Sequence, residues 1–150
     1  CVAGVAYASD KRAIAIAGDG GFMMMCQCLS TISRHQLNSV VFVISNKVYA
    51  IEQSFVDICA FAKGGQFAPF DLLPSLDYLT LAKAFAVEEY KVQTGAELQQ
   101  ALNKIMANKE TPALVEVIIP SQDLAPAMAG LVKSITGNTV DQCNLKAGEG

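Results

Sequence analysis

Two apolar runs each end in a short polar motif, and this pairing limits the possible folds more than any other feature of the chain. Ala13-Ile14-Ala15-Ile16-Ala17 leads into Gly18-Asp19-Gly20-Gly21, and Val40-Val41-Phe42-Val43-Ile44 leads into Ser45-Asn46-Lys47-Val48-Tyr49-Ala50-Ile51-Glu52. Runs that are apolar at every position read as strands buried on both faces, the pattern of a parallel sheet covered by helices on either side. Strands of this kind alternate with helical patterns along the chain, which predicts an α/β fold: an open, mostly parallel sheet with right-handed crossovers. Ligands in such sheets bind beyond the carboxyl ends of the strands. Asp19 and Asn46 are both expected there.

The remaining elements follow from local signals. Cys1 to Ala8 is helix-like and rich in small residues but has no start signal, the reading expected of a fragment cut from a larger protein. Gly18 to Gly21 reads as a tight loop and Phe22 to Ser33 as a helix with Met23, Met24 and Met25 in core and helix-surface packing. Asp10, Lys11 and Arg12 read as a solvated turn, and His35 as a residue facing solvent after a helix. From Asp57 to Ser75 no periodicity is visible, and an irregular stretch this long is usually functional or mobile. Leu76 to Ala86 is helical and Val87 to Gln93 a short strand. Thr94-Gly95-Ala96-Glu97 reads as a capping box, opening a helix with a stripe of Leu98, Leu102, Ile105 and Met106. Pro112 to Ile119 is a last strand and Ser121 to Ile135 a closing helix. The tail from Thr136 has little to pack against.

Composition excludes several classes of function. With 150 residues, 52% hydrophobic and 17% charged, the chain can bury a sizeable core. A net charge of −3 gives no electrostatic case for nucleic acid or an anionic membrane, and no apolar run approaches a membrane span. Five cysteines, at positions 1, 26, 28, 59 and 143, do not look like a disulfide framework and suit a reducing cytoplasm. The Cys26 and Cys28 pair has no partner pair for a metal site and reads as packing.

The two strand-end motifs carry the chemistry. Asp19 offers a carboxylate, Asn46 an amide oxygen and Val48 a backbone carbonyl, an all-oxygen set suited to Mg²⁺ carrying a phosphate. Gly20 and Gly21 let backbone N–H groups approach that phosphate, and a helix starting near Phe22 would add the positive end of its dipole. The pairing resembles the binding motif of thiamine-diphosphate (ThDP) enzymes, which opens with Gly-Asp-Gly and closes with Asn after a similar interval. Asn46 to Glu52 is further similar to the segment found in 2-oxoacid decarboxylases of the pyruvate and indolepyruvate type, as is the run Phe70-Asp71-Leu72-Leu73-Pro74-Ser75-Leu76-Asp77-Tyr78.

The resemblance implies a set of roles. Gly18, Asp19, Gly20, Gly21, Asn46, Val48, Tyr49, Ala50 and Ile51 would contact ThDP, with Asp19, Asn46 and Val48 holding Mg²⁺. Glu52 would stand at the reacting carbon and manage protons there, a task for a positioned carboxyl. It implies that residues 1–135 form the diphosphate-binding domain, truncated at its N-terminus, with 136–150 a frayed tail. The expected partners are a small 2-oxoacid, a pyrimidine-binding domain of the same or a second subunit, and further copies in a homodimer or homotetramer. In such enzymes the glutamate that activates the aminopyrimidine and the histidines near the substrate belong to that other domain, so the isolated fragment is expected to be inactive. Two departures stand out: Val48 replaces a usual small residue, and Leu76 replaces a common aromatic one. Taken alone, Glu52 reads as a solvated glutamate at a helix start, and Tyr49 as packing against the next helix. An acetolactate-synthase-like carboligase domain and a non-catalytic α/β domain with a degenerate site remain the alternatives.

Overall fold

The computed structural model describes residues 2–9, 11–108 and 110–147, the last three by backbone alone. In chain order the elements are α1 (Val2–Tyr7), β1 (Ala13–Gly18), α2 (Asp19–Met23), α3 (Cys28–Arg34), β2 (Ser39–Ser45), α4 (Ala50–Val56), α5 (Tyr78–Ala84), β3 (Glu88–Val92), α6 (Gly95–Ala107), β4 (Ala113–Ile118), α7 (Pro126–Thr136) and α8 (Val140–Ala147). Two 3₁₀ turns, Ile58–Phe61 and Pro69–Asp71, lie between α4 and α5. The chain falls into two compact units, residues 1–45 with 76–119, and residues 46–75 with 120–150. None of the described helices is long and apolar enough to cross a membrane.

The first unit holds a four-stranded, all-parallel sheet in the order β1-β2-β4-β3. On one face Leu29, Ile32, Val41, Val43, Tyr78, Ala82 and Leu114 form a continuous core. On the other, Val40, Ala113 and Val115 pack with Ala101 and Ile105 of α6. The central strands β2 and β4 are therefore sandwiched, as the apolar run of β2 requires; β4 is apolar but for Glu116, which is buried with Lys91 Nζ 3.6 Å away. Edge strand β1 departs from that expectation: Ile14 and Ile16 are 65% and 73% exposed, because α6 covers the opposite edge of its face and nothing described covers this one.

The capping box forms as read. Thr94 Oγ1 accepts from the Glu97 N–H, and Glu97 Oε2 accepts from the N–H groups of Gln93 and Thr94. The far end of α6 was not legible. Arg12 is no solvated turn residue; its guanidinium donates to Asn38 Oδ1 and to the carbonyls of Ile105 and Asn108 at 2.5 Å. A cation forked over the last carbonyls of a helix satisfies groups that otherwise lack partners and complements the dipole. Asp10, expected in the same turn, lies outside the described residues.

Among its described residues the second unit has no sheet. It is built on α4 and α7, which pack together, with the two 3₁₀ turns and α8 around them. Pro126 sits in the first turn of α7, where its missing N–H costs nothing, so the helix begins at the proline rather than surviving it. Beyond Thr136, where a frayed tail was expected, Gly137 in a left-handed conformation (φ 74°) ends α7 and the chain turns into α8. The expectation of thiols without disulfides is also overturned: Cys59 and Cys143 are bonded, while Cys26 and Cys28 are free. Cys1 lies outside the described residues.

Candidate functional site

In the first unit the β1–β2 register pairs Gly18 with Ile44, so the carboxyl ends of the two strands lie side by side. Asp19 follows one end; Asn46 follows Ser45 at the other. The expected tight loop over Gly18 to Gly21 is instead the start of a helix. Gly18 is its N-cap in an extended conformation, and α2 runs from Asp19 rather than from near Phe22. At five residues, α2 contributes little macrodipole. Asp19, Gly20 and Phe22 are buried in it, while Gly21 is exposed. The Asp19 carboxylate is 3% exposed, and its Oδ1 accepts from the Gly20 N–H at 3.0 Å. Neither Gly18 nor Gly21 adopts a left-handed φ, and a Cβ on either would meet nothing within 4 Å. The space that side chains would fill is left beside bare backbone.

The helix expected from Phe22 to Ser33 is interrupted by turns at Met24–Gln27, and Met24 is 72% exposed rather than in the core. Phe22 does enter the core, meeting Tyr78 edge to face with ring centroids 5.7 Å apart.

In the second unit the Asn46–Ile51 segment is held by backbone contacts that the sequence did not reveal. Lys47 adopts φ 63°, a left-handed conformation that is costly for a residue with a Cβ. This tight turn lets Asn46 Oδ1 accept from the Val48 N–H at 3.3 Å, while Ser121 Oγ donates to the Asn46 carbonyl at 2.5 Å. Val48 is buried and forms an antiparallel bridge with Leu72. Around that bridge the Leu73 N–H donates to Lys47 O at 3.0 Å and the Tyr49 N–H to Asp71 O at 2.8 Å. The Pro69–Leu73 stretch thus acts as a strap over the segment. Val48 O accepts from the Ala50 N–H at 2.8 Å, and a carbonyl oxygen has a second lone pair.

Tyr49 caps α4, and the first turn of that helix presents Ile51, 58% exposed, and Glu52 to solvent. Its opposite face is pinned. Gln53 is 1% exposed; its Nε2 donates to Asp57 O at 3.2 Å and its Oε1 accepts from Ala68 N at 2.7 Å. A buried side-chain amide with two backbone partners fixes the helix rotation and so the direction in which Glu52 projects. Asp71 is the residue that sequence reasoning missed. It is 3% exposed, and its Oδ2 has no hydrogen-bond partner among the described residues. A buried, unsatisfied carboxylate oxygen is costly unless a donor or cation reaches it. Only its place in the quoted Phe70–Tyr78 run could have drawn attention to it.

The structure therefore distributes the sequence candidates in two groups. Gly18, Asp19, Gly20 and Gly21 lie in the first unit, and Asn46, Val48, Tyr49, Ala50, Ile51 and Glu52 in the second. Within the first unit the Asp19 carboxylate stands beside glycines that carry no side chain, and within the second Asn46 Oδ1, the Val48 carbonyl and the orphaned Asp71 Oδ2 are oxygens of the kind a hard cation takes.

The first unit is an α/β domain built on an open, all-parallel sheet. The family described as thiamine pyrophosphate enzyme, C-terminal TPP binding domain, matches residues 1–117, and the chain belongs to it. An alpha-keto-acid decarboxylase of Mycobacterium tuberculosis is 29% identical over 129 residues, covering 84% of this chain and 22% of the relative. A probable pyruvate decarboxylase of Schizosaccharomyces pombe is 27% identical over 133 residues, covering 85% and 22%. Among solved structures, a thiamine diphosphate-dependent 4-hydroxybenzoylformate decarboxylase of Rhodococcus jostii RHA1 shares the fold with a TM-score of 0.69 at 23% identity, covering 79% of this chain and 22% of that one. Benzoylformate decarboxylase of Polynucleobacter necessarius gives 0.66 at 24% identity, covering 78% and 21%. The chain spans about a fifth of the length of these relatives.

Proposed function

We propose that residues 1–135 are the diphosphate- and Mg²⁺-binding domain of a ThDP-dependent, non-oxidative 2-oxoacid decarboxylase. The observation that supports this reading is the parallel pairing of β1 with β2 in register Gly18 to Ile44, Asp19 being the residue after the first strand and Asn46 the residue after the second. Family membership and the decarboxylases among the relatives support the reaction class. ThDP, when bound, supplies the carbanion chemistry by which a carbon–carbon bond next to a carbonyl is broken.

This chain's residues would do the rest. Asp19 would hold Mg²⁺ with its carboxylate, Asn46 through Oδ1 and Val48 through its carbonyl. Occupation by a cation requires Asn46 Oδ1 to share or give up the Val48 N–H, a modest cost against a charge-assisted contact. The backbone at Gly18, Gly20 and Gly21 would approach the diphosphate, and Tyr49, Ala50 and Ile51 would line the cofactor. Glu52 would hold or release a proton at its carboxyl beside the reacting carbon. Its exposure on α4 fits a side chain that completes its environment against a pyrimidine-binding domain of the same or another subunit, in a homodimer or homotetramer.

Titration of ThDP with Mg²⁺ into the full-length protein, followed by turnover of pyruvate and an aryl-pyruvate, tests the assignment. Asp19→Ala should abolish cofactor binding, since it removes the ionised ligand. Glu52→Gln should bind normally and lose on the order of 10²-fold in turnover, the usual scale for a positioned acid–base group. Equal loss of cofactor affinity in both variants would place Glu52 in the binding shell instead. Normal turnover in Glu52→Gln would return it to the solvated surface.

A further inference from the structure

The second unit carries a feature that cofactor binding does not use. Cys59, in the 3₁₀ turn that begins two residues after α4, is bonded to Cys143 of α8, 84 residues away in sequence with Cα atoms 5.5 Å apart. It does not belong to a disulfide framework, because Cys26 and Cys28 remain thiols. Among the described cysteines, one bridge beside two free thiols has the character of a switch more than of a staple.

The attachments of α8 make it responsive. It spans eight residues, and of its described side chains, at 140–144, none is buried. Helices this short are marginal in water without tertiary packing. Besides the disulfide, the Lys63 N–H donates to Asn144 Oδ1 at 3.1 Å, joining the 57–65 segment to α8. Cys59 is exposed and Cys143 half-buried, so a small thiolate has access to the bond. Beside it lies a cleft of about 270 Å³ whose walls include Ser54 and Asp57 on one side and Thr136, Thr139 and Gln142 on the other. Cutting the bond removes the covalent tie that holds the α8 part of the second wall, at Gln142 and Cys143, against the first.

We infer that Cys59–Cys143 is a reversible dithiol switch, read by low-molecular-weight thiols and disulfides, that docks α8 when oxidised and releases it when reduced. In reduction a small thiolate attacks the exposed Cys59 sulfur, forming a mixed disulfide and expelling the Cys143 thiolate, which takes a proton. A second small thiolate then attacks the mixed disulfide, releasing Cys59 as a thiolate that is protonated in turn. Two small thiols become one small disulfide, and the protein gains two thiols. Oxidation by the small disulfide is the reverse. This inference does not depend on the proposed cofactor site.

The test equilibrates the full-length protein with mixtures of reduced and oxidised glutathione, traps free thiols by alkylation, and follows amide hydrogen exchange over residues 140–147. The expected result is that Cys59 and Cys143 lose alkylation together as oxidised glutathione rises, with a cross-linked peptide joining them, while Cys26 and Cys28 stay reactive. In parallel, exchange in α8 should slow at least about tenfold on oxidation. Cys143→Ser should exchange as the reduced protein does at every mixture. Full alkylation of both cysteines throughout would overturn the inference. So would a bridge that forms without changing exchange in α8, which would make the bond a passive link.

Discussion

Replacing Gly65 by alanine probes the support behind α4 without touching any proposed ligand. A Cβ built on Gly65 would lie 2.3 Å from the Cys59 carbonyl oxygen, 2.6 Å from that of Ala60 and 2.8 Å from the Ala60 carbonyl carbon. The obstacles are backbone atoms, so no rotamer change relieves them. Restoring ordinary contact distances requires the Ile58–Phe61 turn to move by roughly 1 Å. Overpacking of this kind costs about 1–3 kcal/mol. The same movement disturbs Gln122, whose Nε2 donates to Ala60 O, Ala62 O and Gly65 O at 3.4, 3.3 and 3.2 Å. Losing one effective hydrogen bond adds about 1 kcal/mol. The expected sum is on the order of 3 kcal/mol, or ~10²-fold in a local opening equilibrium. Native-state hydrogen exchange over residues 53–65 of the full-length protein reads it directly. Gly130→Ala is the control: it lies within α7, a Cβ there meets nothing within 4 Å, and the substitution should stabilise by about 0.5–1 kcal/mol. If Gly65→Ala were neutral or stabilising like its control, the close approach and its role in seating α4 would be refuted.

Two further outcomes are expected. Glu97 is held below the usual glutamate range, first by the Gln93 N–H and then by that of Thr94. A lowered folded value means that this contribution to stability is present above the ordinary glutamate value of 4.5 and is lost as pH falls through the lower folded value. Glu97→Gln should therefore remove that part of the acid dependence in a pH series of thermal unfolding, and an unchanged acid limb would contradict the capping geometry. Separately, residues 1–150 produced alone should not turn over pyruvate or an aryl-pyruvate, since sites built between domains lose contacts and water exclusion when one is removed; measurable decarboxylation by the fragment would show this wrong.

Much of the first unit was legible because local and global signals agree there. The apolar runs of β2 and β4, the latter broken by Glu116 alone, correspond to strands covered on both faces, and Thr94 with Glu97 marks the start of α6 to the residue. What escaped depended on contacts distant in sequence. Arg12 reads as a turn residue until the carbonyls of Ile105 and Asn108 are brought beside it. Cys59 and Cys143 look like isolated thiols until the fold closes an interval of 84 residues. Met24 reads as core or helix-surface packing because Met fills irregular gaps, yet the helix breaks just where it stands and leaves it exposed. At the candidate site the residue types were readable, but the conformation was not. Lys47 occupies a left-handed turn that sequence would assign to Gly or Asn, and strain at such a position is most often kept where function requires it. Asp71 carries no motif of its own that would announce a buried carboxylate with an unsatisfied oxygen.

The most direct measurement is a crystal structure of the full-length protein grown with Mg²⁺ and ThDP. The expected result is one cation about 2.0–2.1 Å from an Asp19 carboxylate oxygen, Asn46 Oδ1 and the Val48 carbonyl, with its remaining positions filled by diphosphate oxygens and water. A cation bound elsewhere, or the side-chain oxygens of Asp19 and Asn46 lying too far apart to share one coordination sphere, would contradict the assignment.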